Sequence, residues 1–339
     1  MHQLLLAVLL TNAVPAEMQA SRQPIIDMHL HVRSVSFAGE NPPPMCTPFA
    51  VMPRSDNRVG VYEGMAFNRE PCAEPIAAAT TDEQVMRDTL AAMERLNIYG
   101  VVSGEPNALA RWMAVSPDRI IPAVDYRLPG TPGHRHVAAR TIDELRRLHA
   151  QGRLQVIGEI MAQYEGVSID DPRMEPLWAL AVELNVPVAI HMGPGEPGGP
   201  YSGGGYRVSL GDPLLLEPVL VRHPRLRVSV MHAGYPMVDR MRALMFSYPQ
   251  VYADIGSIVY TEPRASFYAF LRELVEAGYG DRIMFGSDQM IWPGVIAEAV
   301  RAIDEAPFLD ADQKRDIFYH NAARFLRLSS EQIAKHHGR

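Results

Sequence analysis

The chain has 339 residues, 47% of them apolar and 21% charged, with a formal charge of -7. That suits one large α/β barrel with a well-filled core and excludes the disordered class. No run of Lys or Arg makes a basic face, so a nucleic-acid partner is excluded, while a small-molecule substrate remains open.

The first residues read apart from the rest. Leu4 to Leu10 is apolar, and Val14-Pro15-Ala16 offers the small residues a signal peptidase needs. A periplasmic or secreted protein cleaved near Ala16 is therefore expected. Met1-His2-Gln3 lacks the Lys or Arg that a leader usually carries, so residues 1–20 also read as a plain extension. No other stretch approaches the ~20 apolar residues of a spanning helix, and no membrane partner is expected.

Short β-branched runs then alternate with segments of helical period. The runs are Ile25–His31, Tyr99–Ser103, Ile120–Tyr126, Leu154–Ile160, Val186–His191, Leu226–His232, Val251–Ile255 and Arg282–Ser287. Helical patterns lie between them at Asp82–Leu96, Thr141–Ala150, Pro172–Leu184, Pro213–Arg222 and Ala265–Ala277. Such alternation calls for a parallel sheet, and eight repeats close into a (β/α)8 TIM barrel. A doubly wound sheet usually carries a Gly-rich turn after its first strand; here that strand ends in His29-Leu30-His31-Val32-Arg33.

Two insertions interrupt the alternation. Residues 33–80, rich in Pro, follow strand one, and Gly193 to Gly211, rich in Gly and Pro, follow strand five. Both leave the C-terminal ends of strands, where barrels place their chemistry, so both are expected to wall a pocket. The two cysteines, Cys46 and Cys72, lie in the first insertion and would form a bridge in an exported protein. The barrel itself is expected over 21–328, with 329–339 as a tail.

The chemistry begins at Asp27-Met28-His29-Leu30-His31. Residues two apart in a strand share a face, so Asp27, His29 and His31 are expected to point into the barrel, and Ile26, Met28 and Leu30 outward to the helices. Two buried imidazoles and a carboxylate are costly without a partner, and a divalent metal is one answer. Core or rim histidines with hydrogen-bond partners are the other. Four more polar groups end apolar runs: Glu159, His191, His232 and Asp288. In a barrel all these ends converge on one mouth. Of the twelve histidines, the eight outside strands, such as His134, His149, His223 and His336, read as surface residues. The set His29, His31, His191 and Asp288 supplies nitrogen and oxygen without thiolate. It suits Zn2+, and also Mn2+ or Fe2+. Such a site lowers the pKa of a bound water toward ~7. Asp288 can ligate and also take the water's proton; His232 can bind a second ion or polarise the substrate carbonyl.

Taken together, these residues resemble the amidohydrolase superfamily, and within it the amidohydrolase-2, or aminocarboxymuconate-semialdehyde decarboxylase-like, branch. The likeness runs from about Ile25 to Leu326. Its marks are Ile25 to His31, Leu216-Glu217-Pro218-Val219-Leu220 with His223-Pro224, Met231-His232-Ala233-Gly234-Tyr235-Pro236, Tyr252-Ala253-Asp254-Ile255, Phe285-Gly286-Ser287-Asp288 and Asn321 to Leu326. The resemblance implies a metal held by His29, His31, His191 and Asp288, with His232 beside it. The branch contains hydrolases of esters, lactones and amides, hydratases and non-oxidative decarboxylases. One departure is Val156-Ile157-Gly158-Glu159-Ile160, which looks like the strand-four glutamate of TatD-type deoxyribonucleases and phosphotriesterase-like lactonases, where it bridges two metals. A carboxylate paired with Arg or His is the plainer account of Glu159.

The sequence thus supports a hydrolase of a lactone, ester or amide, with one or two ions per chain, catalytic Asp288 and His232, and Glu159 among the ligands. The alternatives are a decarboxylase of an aromatic or muconate-like acid, gripped by Arg33, Arg58, Arg69 or Arg207, and a non-catalytic ligand-binding barrel. Six polar strand ends kept together argue against the last. A small-molecule substrate is the expected partner, with a homodimer left open.

Overall fold

Parallel strands buried on both faces read as near-continuous apolar runs, and the eight runs of this chain form such strands. They are β1 Ile25–Val32, β2 Ile98–Gly104, β3 Ile120–Tyr126, β4 Val156–Ile160, β5 Val188–His191, β6 Val228–Met231, β7 Val251–Asp254 and β8 Ile283–Met284. The computed structural model describes residues 22–39, 42–52, 58, 72, 74–131, 137–201 and 203–338. The expected leader and cleavage site lie outside these residues, as do Arg69 and His134.

The strands pair in parallel in the order β1 to β8. Backbone hydrogen bonds join the two ends of the sheet: Met28 N donates to Phe285 O at 2.9 Å and Asp288 N to His29 O at 2.7 Å. The result is a (β/α)8 TIM barrel. Helices follow the strands in turn: α1 Asp82–Arg95, α2 Pro106–Val115, α3 Ile142–Ala150, α4 Glu175–Leu184, α5 Glu217–Arg222, α6 Val238–Ser247, α7 Arg264–Leu274 and α8 Val295–Asp304. Their starts follow from the sequence. Thr81 caps α1 by accepting from Gln84 N and Thr141 caps α3 by accepting from Glu144 N, each with two acidic residues in the first turn.

One expectation about β1 is corrected. Its register on β2 shifts between Asp27 and Leu30, a bulge that breaks strict alternation. Ile26, before the bulge, and Met28, within it, pack inside the barrel with Val101, Ala123, Val156, Ala189, Met231 and Met284. After it Leu30 joins the outer core with Met93 and Val102, while His29 and His31 reach the mouth. Asp27 does not join them: its Oδ1 accepts from the backbone N–H of His29 at 2.9 Å and of Ser287 at 3.0 Å, tying β1 to the segment after β8.

The opposite end of the barrel is finished by the C-terminal residues. Tyr319, Ala322 and Phe325 pack against Ile26 and Met28. The expected tail is a helix over Ser330–His336, capped by Ser329. His336 stacks on Tyr99 with ring centroids 3.7 Å apart and its Nδ1 lies 2.9 Å from Tyr319 Oη. Its ring is therefore half-buried in packing contacts rather than freely exposed.

In the first insertion, Met45 and Ile76 exchange two backbone hydrogen bonds of 2.8 Å. Beside them Cys46 and Cys72 form a disulfide with Cα atoms 5.8 Å apart across a sequence separation of 26. Closing a loop of that size removes about 3 kcal/mol of unfolded-chain entropy. Reduction, or Cys46→Ser, is expected to lower the melting temperature by several degrees and to raise KM, because the same segment lines the cavity described next. Thermal unfolding with and without reductant, beside steady-state kinetics, measures both.

Candidate metal centre

The C-terminal ends of β1, β4, β5 and β6, with the segment after β8, bring His29, His31, Glu159, His191, His232 and Asp288 to one point. All six are at least 92% shielded from solvent, His232 the least at 8% exposed. His29 Nε2 and His31 Nε2 lie 3.1 Å apart. Asp288 Oδ1 lies 3.1 Å from His31 Nε2 and 3.4 Å from His29 Nε2. Glu159 turns Oε2 toward His31 Nε2 at 3.4 Å and Oε1 toward His232 Nε2 at 3.7 Å. The rings of His191 and His232 stand 4.5 Å apart. Three overlapping groups result, each with ligand atoms within 4.8 Å of one another: His29, His31 and Glu159; His29, His232 and Asp288; Glu159, His191 and His232.

The backbone is bent to aim two of these side chains. His232 has φ +56° and Asp288 φ +52°. Left-handed conformations of residues other than glycine cost about 1–3 kcal/mol and gather at functional sites. A close approach also matters at Gly256, where a Cβ would fall 2.5 Å from His29 Nδ1.

A second ring of contacts orients the imidazoles. His29 Nδ1 is 3.2 Å from Asp254 Oδ1, His31 Nδ1 2.8 Å from Ser103 Oγ, and His232 Nδ1 2.8 Å from Gly256 O. With each Nδ1 so engaged, each Nε2 is left to present its lone pair inward. His191 is held differently, with Nε2 3.3 Å from Tyr164 Oη and Nδ1 buried without a hydrogen-bond partner among the described residues. Ser103, Asp254 and Tyr164 were not among the expected site residues, although Asp254 belongs to one of the marks of the resemblance. Asp254 had a usable signal: like His191 and His232 it ends an apolar strand. Ser103 ends β2 in the same way, but a serine there is too common to stand out.

Electrostatics point to a cation at the centre. Burial and the neighbouring His232 push His191 down to about 3, so it is neutral and able to ligate at pH 7. Burial opposes protonation of His29, but Asp288 and Asp254 outweigh it and carry the ring up to about 10. Burial would raise Glu159 and Asp288, yet the histidines facing them hold Glu159 well below the usual carboxylate range and lower Asp288. Buried carboxylates thus stay ionised around the imidazoles, and the proton they hold on His29 is the charge that a metal cation would displace. Two imidazole nitrogens ~3 Å apart match the spacing of two ligands at ~2.1 Å from one ion. The residues present fit a divalent metal.

Above the centre is a cavity of about 520 Å³. Both insertions wall it, the first through Arg33, Phe37, Met45, Phe49 and Met52, the second through residues such as Pro194, Glu196, Pro200, Tyr206 and Val208. Of the candidate arginines, Arg33 lines it, paired with Asp125 at 3.5 Å and facing Glu159 at 3.7 Å. Arg207 instead donates to the carbonyls of Gly205 and Tyr206. Among the other histidines, His149 Nδ1 bonds Leu154 O at 3.0 Å and His223 pairs with Glu175 at 2.6 Å, both apart from the centre.

A barrel with two histidines on β1 and further polar strand ends around one mouth defines an enzyme class, and the comparison with family models names it. The chain belongs to the amidohydrolase family, whose model matches residues 26–328. Protein fluG of Emericella nidulans is 23% identical over 168 residues, which are 45% of this chain and 19% of fluG, so the chain spans about a fifth of that relative's length. Among solved structures, a probable 2-pyrone-4,6-dicarboxylic acid hydrolase of Acinetobacter baumannii superposes with a TM-score of 0.57 at 15% identity, covering 90% of this chain and 100% of that one. A 5-carboxyvanillate decarboxylase of Novosphingobium aromaticivorans, solved with bound manganese, superposes with a TM-score of 0.57 at 14% identity, covering 90% and 97%. These likenesses establish the shared barrel.

Proposed function

We propose that this chain is a hydrolase of a small carbonyl compound, a lactone, ester or amide, whose residues would hold two divalent cations with Glu159 between them. The observation that carries the proposal is the placement of Glu159 between two nitrogen groups, with one oxygen toward His31 and the other toward His232. His29, His31 and Asp288 would hold one cation, and His191 and His232 the other. Nitrogen and oxygen donors suit Zn2+ first, with Mn2+ and Fe2+ compatible. Such cations, when bound, supply Lewis acidity and bring the pKa of water toward ~7.

The protein groups then have defined tasks. Asp288, ionised and at the cavity floor, accepts the proton of the attacking water and passes it to the leaving group. His232 Nε2 faces the same space and would serve as a ligand of the second cation, its ring held through Nδ1 by Gly256 O. Asp254 and Ser103 fix the rings of His29 and His31, and Tyr164 fixes His191. Losing such an orienting bond typically weakens metal affinity about 10-fold or more. Tyr164→Phe is therefore expected to weaken one cation of the pair and spare the other, read by competition titration with a chelating dye.

Arg33 supports a second reading. A decarboxylase needs a cation to grip the acid it consumes, and Arg33 lines the cavity. Reconstitution with Zn2+ or Mn2+ separates the two. Two metals per chain, with hydrolysis of an aryl ester or lactone that stops on chelation and returns with metal, is the expected result. One metal at saturation, CO2 release from a hydroxylated benzoate and no hydrolysis would overturn the first reading for the second.

A further inference from the structure

The cavity walls also bear on what the substrate looks like away from its reacting bond. Resting on the hydrolase reading, we infer that the substrate carries an uncharged, apolar tail that runs from the metal centre to solvent between the two insertions. Three features support this.

The first is the apolar lining. Met45, Phe49 and Met52 of the first insertion and Tyr206 and Val208 of the second all line the cavity. Met45, Phe49 and Tyr206 are buried at 3%, 7% and 3% exposure, whereas Met52 and Val208 rise to 39% and 52%. The apolar lining therefore includes both interior and surface positions.

The second is the rim. Val51 and Tyr201, next in sequence to the lining residues Met52 and Pro200, are 80% and 72% exposed. The apolar character of the two insertions thus continues onto their exposed positions, where single apolar residues are otherwise ordinary.

The third is charge. Among the described lining residues Arg33 is the only Arg or Lys, and it is already held by Asp125 and Glu159. Two carboxylates, Glu196 and Glu262, line the same cavity. A second anionic group on the substrate would meet acidic side chains where it needs a cation. An alkyl or aryl tail meets side chains that gain by covering it.

Alkyl hydroxamates test the inference without requiring turnover, since they join a metal-binding head to a tail of chosen length. Binding to the metal-loaded full chain is measured by calorimetry for aceto-, butano-, hexano- and octanohydroxamate, and for succinic monohydroxamate, whose short tail ends in a carboxylate. Affinity is expected to rise roughly threefold to fourfold per methylene, and the succinyl compound to bind more weakly than the butano compound. Met52→Asp and Val208→Asp, both at exposed positions, should each lower the ratio of octano- to acetohydroxamate affinity at least tenfold. That ratio cancels any general loss at the metal centre. A flat series, a preference for the succinyl compound or no binding of any hydroxamate would overturn the inference. A rising series in a protein that hydrolyses no ester, lactone or amide would leave the apolar tail standing and remove the hydrolase reading.

Discussion

If the proposed pair of cations is right, Glu159→Gln is expected to bind one divalent cation per chain where the parent chain binds two, and to hydrolyse its substrate at least 100-fold more slowly. A neutral amide keeps the shape of the side chain but offers one oxygen acceptor where the carboxylate offers two. One oxygen cannot face both His31 and His232, which lie 3.4 and 3.7 Å from opposite oxygens of Glu159. The substitution also removes the anion that helps keep His29 and His232 attractive to positive charge. Losses of 10–100-fold are usual when a single group near a metal is changed, and loss of one member of a shared pair exceeds that range. Elemental analysis at saturating metal, followed by kinetics, gives the answer. Equal metal content and equal affinity in both proteins would refute the bridge and shift the balance to the decarboxylase reading.

A larger effect is expected from Asp288→Asn. Asp288 is 4% exposed, sits within 3.4 Å of His29 and His31, and is held by a backbone bond of 2.7 Å from its own N–H to His29 O. Asparagine tolerates the left-handed φ of +52° that this position imposes, so the barrel should persist. What disappears is the negative charge and the ability to accept a proton. Loss of a general base lowers kcat by roughly 10²–10⁴. Far-ultraviolet circular dichroism and the melting temperature should stay near those of the parent chain while kcat falls. An Asp288→Asn protein that turns over at the parental rate would show that another group moves the proton.

The residues at the barrel mouth were legible because burial of an ionisable group at the end of an apolar strand is a rare event with few explanations. His29, His31, Glu159, His191, His232 and Asp288 all carried that signal and all reach one place. Ile120–Tyr126 was read with its observed bounds, and the other strands differ by a few residues at their ends, where pairing rather than composition decides. β8 shrinks most, to Ile283–Met284, because the chain after it leaves the ladder and bonds across to β1 and to Ile317 instead. The direction of Ile26 and Met28 was misread because a bulge changes the phase of a strand without changing its residues. The last helix was missed since its value lies in tertiary contacts of His336 with Tyr99 and Tyr319, the second of them 17 residues away in sequence and the first far more distant. Ser103 and Tyr164 are uncharged and common, so only their position beside His31 and His191 gives them a task.

The way the barrel is joined sets an order on its own biosynthesis. Its seam needs β1 to meet Phe285 and Asp288, and its lower end needs Tyr319 and Phe325 to cover Ile26 and Met28. A ribosome delivers these partners some 260 to 300 residues apart in time, at roughly 5–20 residues per second. For many seconds the nascent chain therefore holds an unfinished sheet with an open edge and an uncovered apolar interior. Such intermediates are what chaperones hold. Variants that weaken Phe325 or Asp27 should consequently show their damage first as poor yield of soluble protein, before any defect in the finished enzyme is seen.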